Sequence, residues 1–169
     1  MGYTLNELAA DIRRELGADS GPAAKAAVCR LVARALKDEA FIAAHLKERP
    51  AGGNPREVLY EDPQFGFCIC GHVYPNKAIG SPHDHGQSWA IYGQATGVTE
   101  MTDWRIVEKG AGDKPTLVEP VKTYSMNPGD AHLYDVGDVH SPNRDAPVRL
   151  IRIEGKNLDR VQRSNIKAK

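Results

Sequence analysis

Two of the six histidines stand one residue apart, in the segment Gly80-Ser-Pro-His83-Asp-His85-Gly86. Residues two apart on an extended strand point to the same face, so His83 and His85 can aim both imidazoles at one point. Imidazole is a borderline donor that suits iron, nickel, copper and zinc. A third ligand is required, and the chain offers His45, His72, His132 and His140. His45 falls among alanines in a helical stretch. His72 shares a strand face with Cys68 and Cys70, where it either lines a cavity or packs. His132 and His140 each follow a Gly-Asp pair, in Gly129-Asp-Ala-His132 and Gly137-Asp-Val-His140. Other residues could serve the same site. Trp89 and Tyr92 follow the histidine pair and can wall a substrate pocket, or else form core. Arg152 can bind an anionic group and Glu154 can move a proton. Alternatively the two are a salt-bridged strand end, with Ile151 and Ile153 as the buried face. The three cysteines read as small packed hydrophobes.

The whole-chain numbers place this chemistry in an ordinary domain. The chain has 169 residues, the size of one domain. Lys+Arg and Asp+Glu both number 22, which argues against a protein that coats nucleic acid. Hydrophobic residues make up 41% and charged residues 26%, the mix of a soluble globular protein. No apolar run approaches the ~18–20 residues of a membrane span. No signal-peptide pattern opens the chain, and an odd cysteine count of three disfavours a disulfide framework. The expectation is a cytoplasmic protein with neither membrane nor nucleic-acid partner.

The elements that must hold the histidines divide into two parts. Over residues 1–50, Leu5, Leu8, Ala9, Ile12 and Leu16 form a helical stripe, with Thr4 and Glu7 as a capping box. A second helix follows Ser20 and Pro22, and a third runs through Phe41, Ile42 and Leu46. Pro50 to Pro55 breaks the pattern. From there to residue 157 the period is that of strands: Glu57–Tyr60, Phe65–Tyr74, Ser88–Tyr92, Gly97–Val107, Thr116–Met126, Ala131–Val136 and Val148–Glu154. Turn chemistry marks Asn76–Gly80, Gly110–Pro115, Asn127–Gly129 and Ser141-Pro142-Asn143. Many short strands with Gly/Pro turns predict a sandwich or barrel. Residues 158–169 read as a basic, solvated tail or edge.

The segment from Gly80 to Gly97, and Gly137-Asp-Val-His140 followed by Asn143, resemble the two cupin motifs. The resemblance implies a mainly β fold, a double-stranded β-helix (jelly-roll barrel) with a metal inside, here with N-terminal α-helices. The first motif usually carries a Glu shortly after its second His. This chain has Gly86-Gln-Ser-Trp-Ala90 there, which resembles the three-histidine subgroup. Within that subgroup Arg56-Glu-Val-Leu-Tyr-Glu-Asp-Pro63, Pro82-His-Asp-His-Gly86 and Arg149–Gly155 are similar to the cysteine dioxygenase-like proteins. That resemblance implies non-heme Fe(II) on His83, His85 and His140, O2 and a small-molecule substrate as partners, Arg56 at a substrate carboxylate, and a homodimer. Three neutral imidazoles also accept other divalent ions such as Ni, Mn or Zn. They leave the site more positive than a carboxylate-containing set, which favours an anionic substrate. The chain departs from the family on the late strand. Leu150, Arg152 and Glu154 stand where a Ser-x-His-x-Tyr series is found, and Ala90 stands where some members have a crosslinking cysteine. A thiol dioxygenase-like enzyme is therefore the first expectation. A dicarbonyl-cleaving dioxygenase and a metal-binding cupin without oxygenase activity are the alternatives.

Overall fold

A computed structural model describes residues 3–18, 20–50 and 52–169. Three helices come first: α1 (Leu5–Ala18), α2 (Pro22–Ala35) and α3 (Glu39–His45). The capping box forms at the first of them. The Thr4 amide donates to Glu7 Oε2 at 2.7 Å, and the Glu7 amide donates to Thr4 Oγ1 at 3.2 Å. Pro22 opens α2, where its missing N–H costs nothing. Asp38 caps α3 by accepting from the amides of Ala40 and Phe41.

Ten strands follow: β1 (Arg56–Glu61), β2 (Cys68–Tyr74), β3 (Ala78–Ile79), β4 (Ala90–Thr96), β5 (Thr99–Glu108), β6 (Thr116–Met126), β7 (Ala131–Tyr134), β8 (Val139–Arg144), β9 (Val148–Glu154) and β10 (Ile166–Ala168). They make two five-stranded sheets, β1-β2-β9-β4-β7 and β10-β6-β5-β8-β3. The ladders are antiparallel except β10 with β6. Together they form a double-stranded β-helix with the helices on one side.

The helices lie on the outer face of the first sheet. There Ile69, Val73, Ile91, Ala95, Ile151 and Ile153 pack with Leu8, Ile12, Val28 and Val32 in one cluster. The opposite residues of the same strands turn into the barrel. In β9, Ile151 and Ile153 face the helices while Arg152 and Glu154 face inward, and all four are buried. The alternative between a functional pair and a buried isoleucine face therefore dissolves, because helices cover the outside of this strand.

Two turn assignments differ from the structure. Ser141-Pro142-Asn143 is not a turn but the middle of β8, which pairs with β5 on one side and β3 on the other. Proline lacks an amide for a ladder and normally argues against a central strand. Here its carbonyl still accepts from the Gly80 amide at 2.8 Å, and Gly80 leaves room for the ring. A Cβ at Gly80 would lie 2.7 Å from Pro142 Cδ. Asn76–Gly80 likewise contains the short strand β3. At the C-terminus, β10 supplies a sheet edge, so residues 158–169 are not a free tail. No helix among the described residues is long and apolar enough to cross a membrane.

Candidate metal centre and its cavity

His83, His85 and His140 come together inside the barrel, with one ring nitrogen of each within 4.8 Å of the others. Local backbone structure explains the convergence. The His83 amide donates to the His140 carbonyl at 3.0 Å and the His140 amide returns the bond at 3.0 Å, so the two residues form a single β-bridge. His85 is two residues along from His83. Gly86 then turns the chain sharply at φ 58°.

The loop between the ligands is clasped from the C-terminal segment. Buried Asp84 accepts from the Gly86 amide at 3.1 Å, the Ser164 amide at 3.1 Å and the Ser164 hydroxyl at 2.5 Å. A Cβ on Gly86 would lie 2.3 Å from the Gln162 carbonyl oxygen, a backbone atom that cannot step aside cheaply. Gly86→Ala, strained by its positive φ as well, should therefore cost about 1–3 kcal/mol. Urea denaturation measures this, and an unchanged midpoint would show that the clasp is slack.

The three imidazoles are held neutral. His83 Nδ1 lies 2.8 Å from the Ser81 carbonyl and so carries the proton, leaving Nε2 as a donor atom. Burial pushes His83 down to about 4 and His85 to about 3, the latter helped by Arg152 and His83. His140 is pushed well below the ordinary range by burial and by its two histidine neighbours. No carboxylate joins the three among the described residues. A compact set of neutral nitrogen donors fits a divalent transition metal.

The residues named from sequence occupy distinct places around this cluster. Tyr92 is the nearest. Its hydroxyl lies 3.0 Å from His85 Nε2 and 3.3 Å from His140 Nε2, and accepts from Arg152 Nη1 at 3.3 Å. Both Tyr92 and Arg152 line a cavity of about 490 Å³ that also opens onto His83 and Arg56. Trp89 does not reach this cavity. Strand alternation turns it to the outer face, where it packs at the edge of the helix-covered core with Lys25 above its ring.

Glu154 is fully buried and accepts five hydrogen bonds. Two come from Arg56, at 3.0 and 2.7 Å, two from Arg152, at 2.9 and 2.5 Å, and one from the Leu158 amide at 3.0 Å. Burial opposes its charge, but these donors hold it ionised, down at about 2. With its lone pairs filled it is a poor proton carrier at neutral pH, contrary to the expectation from sequence. Arg56 is committed too. Besides Glu154 it donates to Asp159 at 2.7 Å and Asn157 at 3.1 Å.

His132 is exposed and leans on Tyr124 and Tyr134, while His45 packs on Phe41. Neither joins the cluster. Three contributors escaped the sequence reading. Tyr134 stacks on His140, with ring centroids 3.8 Å apart, and Arg144 and Tyr74 line the cavity. For Arg144 a signal existed. It stands two and four residues from Pro142 and His140, on the same face once the segment is taken as a strand.

These shifts set an acid limit. Histidines kept neutral in the native state bind protons once unfolded, so their contribution is complete above about pH 6.5 and is lost as pH falls through their lowered values. Glu154 adds a second loss, between its ordinary 4.5 and about 2. Denaturant midpoints of the metal-free protein should therefore fall steadily below pH 6.5, and a flat profile down to pH 4.5 would contradict the neutral, buried cluster.

No family model and no curated protein matches the chain. Similar folds occur among solved structures. An uncharacterized conserved protein with a double-stranded β-helix domain from Klebsiella pneumoniae is 15% identical, with a TM-score of 0.49 over 71% of this chain and 85% of that one. A cupin superfamily protein from Desulfitobacterium hafniense is 11% identical, with a TM-score of 0.47 over 66% and 84%. A cupin-2 domain containing protein from Shewanella frigidimarina is 10% identical, with a TM-score of 0.41 over 58% and 76%. Topology and site geometry together describe a double-stranded β-helix protein with three neutral histidines grouped at a cationic cavity, able to hold a metal ion.

Proposed function

We propose that this protein is a three-histidine non-heme Fe(II) dioxygenase acting on a small anionic organic molecule, in the manner of thiol dioxygenases. The observation that carries this reading is the convergence of three neutral imidazoles, without a carboxylate among the described residues, beside an arginine-lined cavity onto which His83 opens. Iron bound there would supply the redox centre at which an anionic substrate and O2 are brought together. The chain's own residues do the rest. His83, His85 and His140 would hold the ion, and the arginines of the cavity wall attract and orient an anion. Arg152 donates to the Tyr92 hydroxyl and fixes it beside the histidine nitrogens, where it can offer its proton to a bound ligand. Glu154 acts by holding Arg152 and Arg56 in place, and Trp89 supports the strand from its other face.

The late strand favours keeping a second reading. Arg152 and Glu154 form a closed ion-pair cluster where thiol dioxygenases have a Ser-x-His-x-Tyr series, which suits a metal-binding protein without oxygenase activity. Anaerobic purification, iron loading and O2-electrode assays with cysteine, 3-mercaptopropionate and acetylacetone separate the cases. Thiol-dependent O2 uptake supports the proposal. Uptake with acetylacetone alone replaces it with dicarbonyl cleavage. Bound iron with no uptake across the panel favours the binding protein, and no bound metal removes the site.

A further inference from the structure

Two arginines of the cavity wall beside the histidines, Arg144 and Arg163, form no ion pair among the described residues; Arg163 is exposed to solvent, and Arg144 is buried. Arg144 is 5% exposed, yet no carboxylate pairs with it among the described residues. Its Nε is buried and unbonded. Its guanidinium lies over the Tyr74 ring at 4.3 Å, which offsets part of the cost of burying the charge. His72 stands beside it. Its ring stacks with the same Tyr74, its Nδ1 is 3.4 Å from the Tyr74 hydroxyl, and its Nε2 is buried and unbonded. Both residues line the cavity that contains His83 and Tyr92. Arg56, which family resemblance assigns to a substrate carboxylate, has already given its donors to Glu154, Asp159 and Asn157.

We infer that Arg144, with His72, is the docking point for a carboxylate of the substrate. The inference rests on the metal-centre reading above and names its substrate class. That class is a short carboxylic acid whose other end carries a metal-binding donor such as a thiol or an enol. A buried guanidinium left unpaired is costly, and a carboxylate satisfies its planar fork with two charge-assisted hydrogen bonds. The His72 Nε2 can add a third bond in the tautomer that places its proton there. Arg144 and His140 share one face of β8 at a spacing of four residues. At ~3.3 Å per residue, one small molecule can bridge an arginine side chain and the metal centre.

The test uses the full chain, metal-free and zinc-loaded, with propionate and propionamide as probes. The readout is the Arg Nε–H region of nitrogen-edited NMR spectra, assigned by the loss of one signal in Arg144→Gln. Propionate should shift the Arg144 Nε–H signal saturably, and propionamide should leave it in place. Arg144→Gln should weaken propionate binding by at least about tenfold, without lowering zinc stoichiometry. Arg144→Lys should recover part of the affinity. If Arg144→Gln fails to fold, the wild-type comparison of propionate with propionamide still decides. An Arg144 signal indifferent to propionate overturns the inference, as does propionate binding that survives Arg144→Gln. Because neither probe needs iron or O2, the docking point can stand or fall independently of oxygenase activity. Loss of O2 uptake with an intact propionate response would count against the oxygenase reading alone.

Discussion

His140→Ala should leave the protein almost unable to retain a divalent metal, whereas His132→Ala should bind as wild type does. Both histidines follow a Gly-Asp pair in the sequence, but only His140 is bridged to His83 through two reciprocal backbone hydrogen bonds of 3.0 Å. His132 lies exposed on β7, against tyrosines. Removing one of three nitrogen donors should cost at least about 100-fold in affinity, the upper end of what losing a supporting hydrogen-bond partner costs. Metal content after dialysis, measured by atomic emission, gives the answer directly. The substitution also removes a buried ring that stacks on Tyr134, so circular dichroism must confirm that the variant is folded. If His132→Ala empties the protein instead, the centre lies elsewhere in the barrel.

Glu154→Gln should be the most destabilising of the conservative substitutions near the site. The amide keeps the shape of the side chain but removes the charge that two guanidiniums share. Arg152, whose side chain is 8% exposed, would then sit in the interior with a weakened partner. Breaking a buried pair on one side costs about 3–5 kcal/mol. For a domain of this size each kcal/mol moves Tm by about 2–4 °C, so a drop of roughly 6–20 °C is expected. A second variant isolates the cause. Arg152→Met with Glu154→Leu removes both charges together and should recover much of the loss, since well-packed apolar groups can replace a buried ion pair. Coupling between the two sites in a double-mutant cycle would confirm that they act as one unit. A Glu154→Gln variant that melts within a degree or two of wild type would show that the cluster is not holding the strand end.

Much of the local structure was legible because it rests on short-range rules. The Leu5–Leu16 stripe, the Thr4/Glu7 box and the Pro22 start each act within a few residues, and each forms as expected. His83 and His85 converge as expected from their spacing, although only His83 forms a β-bridge and His85 lies in the irregular segment that follows it. His140 needed the motif resemblance, because nothing local separates it from His132.

Where the reading failed, a distant part of the chain had overruled a local preference. Pro142 and Asn143 carry turn chemistry, but neighbouring strands on both sides and a glycine opposite the proline ring hold them in a sheet. The same strand carries Arg144 onto the face of His140. For Trp89, whose sequence allowed either pocket wall or core, the structure selects the core. Which face of a strand looks inward depends on where the helices lie, and those belong to a distant, N-terminal part of the chain.

Residue types and their spacing indicated N-terminal helices, a many-stranded sandwich or barrel and a convergent His83/His85 pair, and the motif resemblance added His140. Tertiary structure alone decided the state of each charge around that site. Glu154 is saturated because Arg56, 98 residues distant, closes on it, and Arg144 is left open because no carboxylate among the described residues pairs with it. Periodicity reports which face a side chain occupies. Whether a buried charge finds a partner depends on atoms brought together from the far ends of the chain.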